Sequence, residues 1–158
     1  MSAKNETVVT RKSDRELVVT RLFNGPARIV FEAWSKPELF QRWWVPKTLG
    51  VPLRACEMDV RTGGGYRLEF GLDAANAMAF YGKYTEVTPH SKIVWTNEEG
   101  GEISVTTVTF EDRGGQTLLT LSELYPSKEA CDEAIQGSAA GLPGQFEQLD
   151  ALLVELVA

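Results

Sequence analysis

The side chains able to do chemistry are few and scattered. Histidine occurs once, at His90, within a Thr88-Pro89-His90-Ser91 turn. Histidine titrates near neutral pH and can act as a base or a ligand, but in this setting it reads as an exposed turn residue. One histidine with no Cys or Asp cluster beside it offers no zinc site, and no Gly-x-Ser-x-Gly elbow accompanies it for a Ser-His-Asp triad. Cys56 and Cys131 are far apart and form no Cys-x-x-Cys pair, so they read as small buried hydrophobes rather than a redox or metal centre. Gly63-Gly64-Gly65 lacks the Lys-Ser/Thr of a phosphate loop and leads into a strand; a hairpin turn that needs positive φ explains it. No metal and no cofactor are expected.

Carboxylates are the remaining candidates. Glu57 and Asp59 stand two apart in a strand-like stretch and so share a face. Such a pair suits acid–base work or cation binding; with Arg54, Arg61 and Arg67 nearby it reads instead as a solvated strand face. Glu69 and Glu123 also fall in strands. Burial of either would raise its pKa and make it a catalytic candidate, and their orientation is open at this point. The aromatic residues say more. Trp44, Tyr66, Phe70, Phe80, Tyr84, Trp95 and Phe146 lie on elements that should face the interior, where they would build either a solid core or the wall of an apolar pocket with a few polar tips. Trp43 and Trp44, about 100° apart on a helix, face different ways, so one can seal the core while the other lines a cavity.

The elements that must position these groups can be read from periodicity. Residues 1–14 form a polar arm with a small apolar patch at Val8 and Val9, free or paired to a sheet edge. Glu16 to Phe23 is rich in β-branched residues and reads as a strand. Pro26 opens a helix bearing Val30, Phe31 and Trp34. Ser35-Lys36-Pro37-Glu38 has the form of a capping box for a second short helix, which carries Leu39, Phe40, Trp43 and Trp44 and ends at Pro46. From Leu53 to Tyr125 the pattern is β: strands over 53–60, 66–70, 77–87, 92–96, 102–111 and 116–124 are separated by turns. Tyr66, Leu68 and Phe70 alternate with Arg67 and Glu69, marking one buried and one wet face. Ser127 caps a helix that Gly137 to Gly144 disturb. Phe146, Leu149, Leu152, Leu153 and Leu156 then recur at helical spacing, with Gln145, Glu147, Gln148, Asp150 and Glu155 opposite.

This is an α+β chain. A meander of about six to seven antiparallel strands must bury one face, and the long C-terminal helix is its large apolar partner. The 158 residues suit one domain over 15–158 that needs no disulfide staple. A net charge of −6 and singly scattered basic residues argue against nucleic acid. No apolar run approaches a membrane span and the polar start lacks a signal-peptide core, which points to the cytoplasm without membrane insertion.

The run ELVVTRLFNGPARIVFEAWSKPELFQRWW is similar to the opening of START-like (SRPBCC) helix-grip domains. In particular it resembles the branch named after the C-terminal domain of the activator of heat-shock-protein-90 ATPase. The same likeness continues, in order, through CEMDVRTGGGYR, YGKYTEVTP, KIVWT, QTLLTLSEL and GQFEQLDALL. The resemblance implies a curved sheet wrapped around the last helix, two short helices closing one end, and a cavity whose wall holds the seven aromatic residues named above. It implies binding of a hydrophobic or amphipathic small molecule; cyclase or dehydratase relatives offer an enzymatic alternative, for which Glu69 or Glu123 would have to serve. A chaperone contact and a homodimer are further partner candidates, although the chaperone activators carry a separate N-terminal domain for which 158 residues leave no room. Two departures stand out. Lys36 replaces the usual Asp before Pro-Glu, leaving the cap to Ser35, and Phe146 stands where Trp is more usual, a change that would alter the cavity mouth.

Overall fold

Strict alternation in Glu16–Phe23 (β2) turns Leu17, Val19, Arg21 and Phe23 to one side, where all four are buried. The computed structural model describes residues 7–45, 53–71, 73, 75, 77–98, 103–137 and 141–157. Within them Val8–Ser13 (β1) precedes β2, and Ala27–Ser35 (α1) and Pro37–Trp44 (α2) follow it. Next come Leu53–Met58 (β3), Gly65–Phe70 (β4), Met78–Thr88 (β5), Lys92–Asn97 (β6), Ser104–Asp112 (β7) and Thr117–Leu124 (β8), then the helices Lys128–Gln136 (α3) and Leu142–Val157 (α4). The strands form one antiparallel sheet in the order β1-β2-β8-β7-β6-β5-β4-β3. The arm supplies the eighth strand: β1 pairs along β2, with every residue exposed.

Register decides what the sheet presents inward. β8 runs against the whole of β2, with Phe23 opposite Thr117 and Leu17 opposite Glu123. Thr117, Leu119 and Leu121 are therefore buried and Glu123 continues their parity. β7 adds Thr106, Val108 and Phe110 to the same face, Thr106 directly opposite Glu123. Trp95 of β6 stands opposite Thr106, and Tyr84 of β5 opposite Trp95. One row of side chains thus crosses the sheet as Tyr84, Trp95, Thr106 and Glu123. A register shift between Tyr84 and Glu86 adds local twist at the end of that row.

The long helix covers only part of this face. Phe146, Leu149, Leu152 and Leu153 of α4 are buried in the core with Leu17, Val19 and Phe23. The Phe146 ring meets Phe23 edge-on at 5.4 Å. Arg21, buried on β2, donates to the Asp150 carboxylate of α4 and, at 2.8 Å, to Thr7. The α4 polar side is thus less wet than its sequence suggests: Gln145 is buried and Asp150 half-buried. Gln145 and Gln148 instead bond the C-terminal carbonyls of α2, which have no partners within their own helix. Gln148 donates to Trp43 and Val45 at 2.9 and 2.8 Å, and Gln145 donates to Trp44.

Helix ends differ from the sequence reading in one place. Ser35 is the last residue of α1, Lys36 is the N-cap of α2, and no side chain caps it. Pro37 fills the first turn, where its missing N–H costs nothing, so neither Ser35 nor Glu38 forms the expected box. Ser127 does cap α3, accepting from the Ala130 N–H at 3.1 Å. Pro46, expected to end α2, lies outside the described residues. In the β3–β4 turn Gly63 has φ +91°, and a Cβ on Gly64 would stand 2.0 Å from the Asp59 carbonyl oxygen, so both positions require glycine. No helix of the described residues is long and apolar enough to cross a membrane.

Candidate ligand-binding cavity

Where α4 leaves the sheet uncovered, a cavity of about 620 Å³ opens between the β3–β8 face and the helices α1, α2, α3 and α4. Its floor is the cross-strand row Tyr84, Trp95, Thr106 and Glu123, flanked by Tyr66 and Phe70 of β4 and Phe80 of β5. Trp34 and Trp44 close one side from α1 and α2. The strand period explains the floor: each lining residue shares its neighbours' inward parity, so a continuous inward-facing surface follows from register alone.

Six of the seven aromatic residues singled out in the sequence, Trp44, Tyr66, Phe70, Phe80, Tyr84 and Trp95, stand on this wall. Phe146 does not: it is fully buried, ringed by Phe23, Trp34 and Trp43 at 5.4, 6.2 and 6.3 Å. The place reached by Phe146 is the core behind the wall, not the cavity mouth. Trp43 and Trp44 divide as their angular separation requires. Trp43 is fully buried and donates its indole N–H to the Ala33 carbonyl at 2.9 Å, whereas Trp44 faces the cavity and stacks on Phe40 at 4.9 Å. Because Gln145 and Gln148 hold the α2 terminus to α4, the position of Trp44 is fixed from behind.

A polar strip crosses the otherwise apolar wall. The Tyr66 hydroxyl lies 2.8 Å from the Thr96 carbonyl oxygen and 2.7 Å from Asn97 Oδ1. Asn97 Nδ2 donates to Thr106 Oγ1 at 3.1 Å. Beside Thr106, Glu123 accepts a hydrogen bond from the Tyr125 hydroxyl on Oε2. Burial pushes the Glu123 carboxyl above the ordinary carboxylate range, against the opposing pull of that bond. Burial likewise pushes the hydroxyls of Tyr84 and Tyr125 up, so both stay protonated as donors at neutral pH.

The other candidates lie elsewhere. Glu69 is on the opposite face of β4, paired with Arg67 at 3.4 Å. Glu57 and Asp59 are exposed, and Asp59 pairs with Arg61 at 2.9 Å. His90 sits exposed in its turn at φ +66°, edge-on to Phe31 at 5.5 Å. Cys131 is buried; Cys56 is half-buried, and burial raises its thiol pKa. Among the described residues, no group of three or more His, Cys, Asp or Glu side chains could hold a metal ion. The sequence reading does not single out Trp34, which reads as ordinary helix core, Thr106 and Asn97, whose inward parity becomes visible only once the register is known, or Tyr125 and Glu133, which follow the last strand.

The architecture recurs in solved structures. A crystal structure from Rhodobacter sphaeroides aligns at TM-score 0.86 and 20% identity, covering 95% of this chain and 99% of that one. A protein from Mycobacterium smegmatis aligns at 0.80 and 24%, covering 96% and 99%, and one from Nitrosomonas europaea at 0.81 and 20%, covering 92% and 98%. At these identities the likeness is one of fold. The chain has no sequence match among the curated proteins. The family model described as Activator of Hsp90 ATPase homolog 1-like protein, however, matches residues 24–154, from the end of β2 nearly to the end of α4. The chain therefore belongs to the Activator of Hsp90 ATPase homolog 1-like family, within the START-like superfamily.

Proposed function

We propose that the protein binds a small, largely apolar molecule in the cavity between its sheet and its helices, with the Thr106–Glu123 strip as the polar anchor. The observation that carries this reading is the cavity itself. Its volume of about 620 Å³ falls within the roughly 300–1,000 Å³ of small-molecule sites. Its wall is rich in aromatic rings, and a polar strip from Tyr66 through Asn97 and Thr106 to Glu123 crosses the sheet side, with Glu133 and Gln145 adding polar groups from the helices. A wall of this kind binds by removing apolar surface from water, and one or two hydrogen bonds set the orientation. The test is a thermal-shift panel of fatty acids, sterols, flavonoids, aromatic polyketides and arylalkylamines on the full chain, with Trp44→Ala and Tyr84→Ala as controls. A ligand at 100 times its Kd stabilises the fold by about 2.7 kcal/mol. A shift for one class that both controls abolish supports the reading, and no shift for any class refutes it.

One observation favours a second reading, acid–base turnover of the bound molecule. Glu123 is the carboxyl group on the cavity floor, and burial shifts its pKa upward, the direction a general acid requires. Here a bound compound would be converted by the wild type and merely bound by Glu123→Gln.

A further inference from the structure

The cavity wall carries a charge pattern that its apolar character hides. Among the described lining residues the acidic side chains are Glu123 and Glu133, and no lysine, arginine or histidine joins them. The nearest buried guanidinium on the same sheet face, that of Arg21, is committed to Asp150 behind α4. On the outer face Arg67 is committed to Glu69. Glu123 is the deeper of the two acids, on the floor between Thr106 and Leu17. Its Oε2 takes the Tyr125 hydroxyl, while its Oε1 makes no hydrogen bond to any described residue and is not sealed from the cavity. Glu133 faces the same space from α3 and is exposed.

A polar group entering this site meets one free carboxyl oxygen and several aromatic faces. A carboxylate head would find no countercharge among the described lining residues and would set a second acid beside Glu123, whose ionisation burial already opposes. A cation would favour the ionised form of Glu123, whose proton passes to solvent on binding, and would find favourable quadrupoles in the rings of Trp34, Trp44, Trp95 and Tyr84. We propose that the ligand is an organic cation, an apolar body ending in an ammonium group, with Glu123 as its counter-ion and carboxylate-ended amphiphiles rejected. This rests on the reading that the cavity binds an amphiphile, and it names the charge of that amphiphile.

Isothermal titration of the full chain at neutral pH and low salt with phenylbutylamine, phenylbutanol and phenylbutanoate separates the two claims. The three probes share one apolar body and differ in head-group charge. The amine should bind about tenfold more tightly than the alcohol, and the acid about tenfold more weakly than the alcohol. Glu123→Gln should bring the amine to the level of the alcohol and leave the alcohol unchanged; Glu133→Gln should move the amine less. The wild-type ranking decides the matter even where a variant fails to fold. Equal binding of amine and alcohol, or tightest binding of the acid, overturns the cation assignment and leaves the cavity reading standing. Failure of all three to bind overturns both.

Discussion

The Arg21–Asp150 pair gives a quantitative test of how α4 is fastened to the sheet. Arg21 is 6% exposed at its side chain and Asp150 27%. The guanidinium donates to Asp150 and to Thr7 and lies 5.6 Å from the centre of the Phe23 ring. Its Nε and the Asp150 Oδ1 are buried without hydrogen-bond partners among the described residues. Two charges about 4 Å apart gain roughly 4 kcal/mol at an effective dielectric constant near 20, while desolvation costs several kcal/mol for each ion. Burial is the larger influence on Asp150, whose carboxyl stands above its ordinary range despite the neighbouring guanidinium. The pair therefore contributes little net stability over an apolar pair, yet each partner is needed by the other. Removing the acid alone, in Asp150→Ala, strands a buried guanidinium. The usual loss of about 3–5 kcal/mol for a broken buried pair falls to roughly 2–3 kcal/mol here because Asp150 is partly solvated. Replacing both, in Arg21→Met with Asp150→Leu, should return stability to within about 1 kcal/mol of the parent. Urea denaturation followed by far-ultraviolet circular dichroism gives both values, provided the denaturant slope is unchanged. Additive losses in the double variant, or a loss below about 0.5 kcal/mol in Asp150→Ala, would refute the reasoning.

Three further predictions follow from the cavity and its surroundings. Burial makes the folded chain hold the Glu123 proton more tightly than the unfolded chain does. The stability this group contributes is complete below the ordinary carboxylate pKa and is lost as pH rises through the raised one. Glu123→Gln should therefore gain on the wild type in melting temperature as pH rises across that window, and a pH-independent difference would contradict it. Phe146→Ala should lose about 3–5 kcal/mol, because it empties a fully buried site among three rings. Trp44→Ala, which enlarges an existing cavity, should lose roughly 1–2 kcal/mol; equal losses in urea would place the two residues in the same environment. Gly82→Ala would bring a Cβ within 1.8 Å of the Thr96 carbonyl oxygen, which accepts from Tyr66. It should cost about 1–3 kcal/mol and speed amide exchange where β5 meets β6, whereas wild-type exchange there would show that the backbone yields freely.

The elements were legible because their signals are local. Glu16–Phe23 coincides with its β-branched run, and β4 with the alternation of Tyr66, Leu68 and Phe70 against Arg67 and Glu69. That same alternation puts Glu69 on the outer face. Glu123 resisted the same treatment because TLLTLSEL carries leucines on both parities, Leu119 and Leu121 inward and Leu118 and Leu124 outward. Only pairing with β2 and β7 breaks that tie. The Ser35 box failed for a geometric reason: α1 runs on through Ser35, and the bend falls at Lys36. For Phe146 the spacing gives the right helix and the wrong depth, since helical spacing gives a face but not the distance from the sheet. Gln145 and Asp150 read as a wet face because their partners, the α2 carbonyls and Arg21, lie more than 100 residues away in sequence.

All four tryptophans of the chain belong to one ring network, with Trp34 lying 4.7, 6.0 and 5.9 Å from Trp43, Trp44 and Trp95. Indoles this close share excitation energy and couple as chromophores, so the ultraviolet emission of the whole protein arises from a single locality. An emission-monitored melt follows the α1–α2 clamp over the sheet and is blind to detachment of β1. Emission and backbone signals that part company would mean the edge opens before the clamp, which makes the optical spectrum a map of where unfolding begins.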